Sequence, residues 1–185
     1  VAERDATACD ALLELADPRF FPPTDLAPFL ASPSVEIRRA VVLRITEHPG
    51  DEATRVLLAT APDDDVLLEG RLLAALRARG AQVPIERLRR GLERSKMVDD
   101  DASALLFAEA SLGVALAARA SKVAEVEREG RVAVTELRRA ARGAAGVADD
   151  GGPRRVRSLA ALAELAERKA EREVQLGLAT SHPEV

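Results

Sequence analysis

The segment LASPSVEIRRAVVLRI, residues 30–45, contains the pattern on which the fold prediction depends. Its apolar register returns about 30 residues later in PDDDVLLEGRLLAAL, residues 62–76. The matching apolar positions are Val35, Ile37, Val41, Val42 and Ile45 in the first segment and Val66, Leu68, Leu72, Leu73 and Leu76 in the second. The polar turn before them matches too, because residues 32–34 correspond to residues 63–65. A helix–turn–helix unit that recurs at this distance is typical of an α-solenoid.

The first of these segments resembles the second-helix signature of HEAT repeats. That signature has an acidic or small polar turn, an apolar–Arg pair and an apolar run containing Ala, here Ile37-Arg38 and Ala40. The second segment keeps the turn and the apolar register but has Glu69 where the Arg would stand. The resemblance covers roughly residues 24–118, and its third unit, at 84–118, has a different spacing. It implies a solenoid fold and a scaffold that binds other proteins.

The composition and the positions of helix-breaking residues favour an all-α protein. The 185-residue chain has no Trp or Tyr and only four Phe, although strands favour aromatic and β-branched residues. Proline and glycine breaks, together with capping acids, place the helix ends. We expect helices near residues 5–16, 24–30, 34–47, 51–60, 65–79, 84–94, 101–118, 121–145 and 154–178. Helix 65–79 is apolar on more than one face, so we expect both Leu72 and Leu73 to be buried.

The last third of the chain predicts a long helical hairpin. Its two helices carry small apolar residues at spacings of three and four, which is the spacing of a coiled-coil seam. The predicted seams are Val123, Val126, Gly130, Val134, Leu137, Ala141 and Ala144 on the first helix, and Val156, Leu159, Ala163, Ala166, Ala170 and Val174 on the second. We therefore predict a short α-solenoid of HEAT-like hairpins over residues 1–119 and a C-terminal helical hairpin over residues 120–185 packed on it.

Charge and composition exclude several classes of protein. A formal net charge of −4 and few aromatic residues argue against a nucleic-acid binder. No run of about 18 apolar residues is evident, so we expect no membrane insertion and a cytoplasmic protein. The preference for Arg over Lys suits a GC-rich bacterial genome.

No group of residues predicts catalysis. His48 and His182 each precede a proline and lack a second ligand at helical spacing. Cys9 has no neighbouring base, and the acidic triplets at 63–65 and 99–101 are placed to cap helices. We therefore expect no enzyme activity, no catalytic residue, no cofactor and no metal.

A basic stretch predicts where a partner binds. Arg87, Arg90 and Arg94 are spaced for one helix face, and Arg77 ends the preceding helix. This face would suit a protein partner with an acidic surface; alternatively, stacking brings the acids at 63–65 and 99–101 close enough to neutralise it. Val42 and Leu43 extend an apolar surface that either the C-terminal hairpin or another protein covers. The expected function is a non-enzymatic protein-binding adaptor, and the alternative is a structural subunit of a bacterial assembly that forms homo-oligomers through its C-terminal helices.

Overall fold

The protein is all-α, as predicted. A computed structural model describes residues 21–96, 100–142 and 152–181, with side chains to residue 168 in the last range, and no strand occurs within them. The helices are α1 (Pro23–Leu26), a 3₁₀-helix (Ala27–Ala31), α2 (Val35–Glu47), α3 (Asp51–Ala59), α4 (Val66–Ala78), α5 (Ile85–Arg94), α6 (Asp101–Ala120), α7 (Ala124–Arg142) and α8 (Pro153–Ser181). The helix predicted at 5–16 lies outside the described residues.

The chain forms two compact units, Val1–Arg87 and Leu88–Val185. The boundary falls inside α5, well before the predicted boundary between residues 119 and 120. The difference arises because α6 packs against both α7 and α8, and so belongs with the long helices. The solenoid arrangement and the resemblance to HEAT repeats stay predictions.

Helices α2 and α4 begin with the same kind of side-chain N-cap. The Ser34 hydroxyl accepts a hydrogen bond from the Ile37 N–H at 3.3 Å, and the Asp65 carboxylate accepts one from the Leu68 N–H at 2.7 Å. Each bond satisfies one of the N–H groups that a helix leaves unpaired in its first turn. The polar turns that match in the sequence are therefore equivalent helix caps.

Seven of the ten matching apolar positions are buried in the core of the first unit, and Val35, Ile37 and Val66 are half-buried. Val41, Val42, Ile45, Leu68, Leu72, Leu73 and Leu76 are all buried. Leu72 lies in one cluster with Leu26, Ala53 and Leu57 from α1 and α3. The prediction that Leu72 and Leu73 both lose contact with solvent is confirmed. Val42, predicted to contact a partner, belongs to this core instead, because its side chain is 1% exposed.

Arginines of α2 bind the acidic turn before α4. Arg38 donates to both carboxylate oxygens of Asp63, at 2.7 and 3.0 Å, and Arg39 donates to both oxygens of Asp65. Burial raises the pKa of Asp65, but hydrogen bonds from Arg39 and from the backbone N–H of Leu68 outweigh it and hold that pKa below its ordinary value. Arg38 and Arg39 of α2 are therefore partners of this turn.

A second ion pair in the same unit is buried. Arg87 donates to Glu69 through Nε at 2.7 Å and Nη2 at 2.9 Å, and the two side chains are 6% and 3% exposed. Arg87 Nη1 also donates to the carbonyl oxygen of Thr60 at 2.7 Å, and the Asp63 N–H donates to Glu69 Oε2 at 3.1 Å. Arg87 is thus a buried structural residue, which corrects its assignment to a partner-binding face.

Arg79, at the end of α4, caps the other end of α2. Its Nη2 donates to the carbonyl oxygens of Thr46 at 2.8 Å and His48 at 2.5 Å. These carbonyls have no partner within the helix, and the negative end of the helix dipole favours a cation there. Helix α2 is therefore held to α4 at both of its ends.

The second unit is built around α6. Helices α6, α7 and α8 pack against one another through a cluster that includes Phe107, Leu112, Leu137 and Leu165. Among the described residues, α6 is the one helix long and apolar enough to cross a membrane, and 61% of the 18-residue window that meets this test is buried inside the structure. The core helix of a folded protein can have this same length and composition. The finding therefore does not test the prediction of no membrane insertion, which stays a prediction.

Small residues let α6 and α7 approach closely. A Cβ atom placed on Gly130 would lie 2.2 Å from the Cβ atom of Ala118. Gly130, Leu137 and Ala141 of the predicted α7 seam are buried, whereas Val123 is exposed.

The seam predicted on α8 does not pack inside the second unit along its described length, and Ala170 and Val174 lie beyond the residues whose side chains are described. Val156 and Leu159 are 57% and 50% exposed, and the buried positions are Ser158, Ala161 and Leu165. Helix α8 carries apolar residues on two faces at the same spacing, so periodicity alone does not select the face that packs. The stripe Val156, Leu159, Ala163 and Ala166 is exposed along its described length.

Substitution of Gly130 tests the close approach of α6 and α7. We expect Gly130→Ala to lower the free energy of unfolding by about 1–3 kcal/mol, because the new methyl group overlaps Ala118. The control is Gly113→Ala on α6, whose Cβ would meet the end of the flexible Leu88 side chain at 2.7 Å. That side chain can move, and alanine favours the helix, so we expect the control to change stability by less than about 1 kcal/mol. Urea unfolding of both variants measures the difference, and equal effects would contradict the packing described.

Candidate binding cleft

The second unit contains a cleft of about 1420 Å³. One wall comes from α5 and the residues just after it, the other from α7, and the base from α6. The first turn of α8 lies at one end. The lining residues are Arg89, Leu92, Glu93 and Lys96; Phe107, Ser111 and Val114; Arg128, Glu129, Val132, Ala133, Glu136, Arg139 and Ala140; and Gly152, Pro153, Arg154 and Arg155.

The base of the cleft is one face of α6. Phe107, Ser111 and Val114 follow one another at spacings of four and three, so they line up along the helix. All three are buried. The base is therefore mainly apolar, with one hydroxyl group in its middle.

The α7 wall alternates charge with an exposed apolar residue. Arg128, Val132, Glu136 and Arg139 follow at spacings of four, four and three, which places them on one helix face. Val132 is 56% exposed. This wall therefore offers an apolar contact between two arginines.

An ion pair connects the two walls. Arg89 of α5 donates to Glu129 of α7 through Nη2 at 2.7 Å and Nε at 3.0 Å. Both side chains are partly exposed, so the pair adds little to stability.

Arg154 closes the end of the cleft at which α8 begins. Its guanidinium carbon lies 5.1 Å from the centre of the Phe107 ring, within the range of a cation–π interaction. Its Nη2 donates to the carbonyl oxygen of Ser95 at 2.7 Å. One side chain thus ties the first turn of α8 to the end of α5 and to the base of the cleft.

The cleft is basic although the chain is acidic. Its six basic side chains are Arg89, Lys96, Arg128, Arg139, Arg154 and Arg155, and its three acidic ones are Glu93, Glu129 and Glu136. The whole chain has a formal net charge of −4. A surface whose charge is opposite to that of its protein favours an oppositely charged ligand.

None of the residues predicted to bind a partner lines this cleft. In the first unit, Arg77 is partly buried on α4, Arg87 and Val42 are buried, and Leu43 is 55% exposed. In the second unit, Arg90 is exposed and Arg94 partly buried. The predicted set is therefore divided between the two units.

Sequence reasoning missed the α7 side of the cleft. The sequence contains the pattern of this wall, because Arg128, Val132, Glu136 and Arg139 have helical spacing. We predicted the seam from Val123 to Ala144 to be the packing face of the same helix, and Ala144 lies outside the described residues. Recognising the second face required knowing that the opposite side of α7 packs on α6.

No metal site is evident in the described ranges, where no three His, Cys, Asp or Glu side chains converge. His48 is buried at the end of α2. Cys9 and His182 lie outside the described residues.

Comparison of the chain with protein-family models, with curated proteins and with solved structures finds no match. Functional inference therefore depends on the cleft itself.

Proposed function

We propose that this protein is a non-enzymatic binding module that takes an acidic segment of another protein into the cleft of its second unit. The observation that supports this proposal is the excess of basic over acidic side chains in the cleft, six against three, on an acidic chain. Arginine pairs with carboxylates through a planar, two-point geometry, which makes it well suited to recognise acidic protein surfaces.

The size of the cleft favours a protein segment over a small molecule. Small-molecule sites are about 300–1000 Å³, and this cleft is about 1420 Å³. The α7 wall from Arg128 to Arg139 extends roughly 16 Å at 1.5 Å per helical residue. That length accommodates about three turns of a helix or about five residues of extended chain.

The wall chemistry indicates a partner with mixed character. Val132 lies between Arg128 and Arg139 on the same face and is more than half exposed. A segment with acidic residues opposite Arg128 and Arg139, an apolar residue opposite Val132 and no acidic residue opposite Glu136 would match this order. Burial of the apolar pair would add affinity, while the charges would set orientation and the rate of association.

Charge reversal on α7 tests the proposal. We expect the double variant Arg128→Glu and Arg139→Glu to weaken binding of a fluorescein-labelled oligoglutamate peptide by at least about 10-fold, because two attractive contacts become repulsive. Fluorescence anisotropy at low ionic strength measures the affinity, since salt screens such contacts.

The matched control is the double variant Arg131→Glu and Arg138→Glu. These two arginines are also exposed on α7 but do not line the cleft, and the net charge changes by the same amount. The proposal predicts that this control keeps most of the affinity. Equal losses in both double variants, or no saturable binding by the unmodified protein, would contradict it.

A second candidate function is assembly through the C-terminal helices. The observation that favours it is the exposed stripe on α8, in which Val156 and Leu159 are at least half exposed and are followed at coiled-coil spacing by Ala163 and Ala166. The occupant we propose is the same stripe of a second copy, because an apolar seam with three- and four-residue spacing is complementary to itself.

Mass measurement tests the assembly function. Light scattering should give a dimer mass for the unmodified protein, and Leu159→Glu should give a monomer because it places a charge in the seam. Leu43→Glu, at an exposed leucine of α2, is the control and should leave the mass unchanged. A monomer mass for the unmodified protein at high concentration would rule out this function.

A further inference from the structure

The base of the cleft contains a polar group that the fold does not satisfy. Ser111 is fully buried on α6, and its Oγ atom has no hydrogen-bond partner among the described residues. Buried polar groups are satisfied in the great majority of cases, because an unpaired one costs about 1–3 kcal/mol. Ser111 also lines the cleft, so a group bound there could supply the missing partner.

The surroundings of Ser111 favour an anion as that group. Ser111 lies one helical turn from Phe107, whose ring Arg154 covers. The first turn of α8, with Gly152 and Pro153 in the lining, brings the positive end of a helix dipole to the same cleft.

Positive side chains add to this field. Arg139 on α7 and Arg155 on α8 line the cleft, and so does Lys96 just after α5. Arg154 is held in place by its hydrogen bond to the carbonyl oxygen of Ser95. Lys96 also forms an ion pair with Glu93 at 2.8 Å. The cations in the lining and the helix dipole together give this part of the cleft a positive field.

We infer that Ser111 and the first turn of α8 form a subsite for one carboxylate of the acidic segment, an inference that rests on the proposed function. The Ser111 hydroxyl donates a hydrogen bond to the carboxylate, and the nearby arginines neutralise its charge. Because the Ser111 hydroxyl is buried in the structure, binding of the carboxylate requires the groups that cover it to move.

Ser158 provides a matched control for Ser111. It too is fully buried in the second unit, and its Oγ atom also has no hydrogen-bond partner among the described residues. It does not line the cleft. A merely structural role for buried serines predicts similar behaviour of the two alanine variants, whereas the subsite predicts a difference in binding alone.

The experiment measures the affinity of Ser111→Ala and Ser158→Ala for the labelled oligoglutamate peptide. We expect Ser111→Ala to weaken binding about 10-fold, the scale of one hydrogen bond to a charged group. Ser158→Ala should bind like the unmodified protein. Urea unfolding shows whether each variant is folded, and if Ser111→Ala changes stability, Ser111→Cys keeps the size of the side chain and replaces the hydroxyl with a weak donor.

The possible failures are distinguishable. If Ser111→Ala and Ser111→Cys bind like the unmodified protein while the Arg128 and Arg139 double variant loses binding, the subsite is wrong and the proposed function stands. If the double variant also binds normally, the proposed function fails. An equal loss in Ser111→Ala and Ser158→Ala overturns the subsite, because it would reflect a general effect on the core of the unit.

Discussion

The buried ion pair between Glu69 and Arg87 is the constraint on which the first unit depends. Moving two charges out of water costs several kcal/mol each, and only good geometry and additional hydrogen bonds offset that cost. Here the pair is bidentate, Arg87 also reaches the carbonyl oxygen of Thr60, and Glu69 also accepts from the Asp63 N–H. A shift of either helix by one residue would leave a charge buried without a partner, so the pair fixes the register between α4 and the first turn of α5.

The same position in two similar helices carries charges of opposite sign. Arg38 on α2 corresponds to Glu69 on α4 in the repeated pattern, and each binds an opposite charge later in the chain. Arg38 binds Asp63 in the turn before α4, and Glu69 binds Arg87 on α5. The Asp63 N–H, in turn, hydrogen-bonds Glu69, which joins the two pairs into one network. Helix α5 then supplies Arg87 to this network and, from Arg89 onward, a wall of the cleft.

Local structure could be read from the sequence because it depends on neighbouring residues. The caps at Ser34 and Asp65 and the buried register of Leu72 and Leu73 follow from helix geometry alone. The same holds for the helix ends, which lie close to their expected positions wherever the structure describes them.

The rest depended on which face of each helix packs. Helix α8 has two apolar faces, and the one chosen from the sequence is exposed at Val156 and Leu159. We assigned Arg87 to a surface because arginine is usually exposed. Its burial depends on its ion pair with Glu69 on the buried face of α4, a contact that the sequence does not reveal. The cleft could not be predicted because it combines residues from four segments, and each segment alone has the composition of an ordinary helix surface.

A double-mutant cycle on Glu69 and Arg87 tests the central claim most directly. Glu69→Met and Arg87→Met each remove one charge and keep a long side chain, and the double variant removes both. The account predicts that each single variant loses about 3–5 kcal/mol of unfolding free energy by urea denaturation, because the remaining charge is buried alone. It also predicts that the double variant is more stable than either single one. Single losses below about 1 kcal/mol that simply add in the double variant are typical of an exposed pair and would contradict the account.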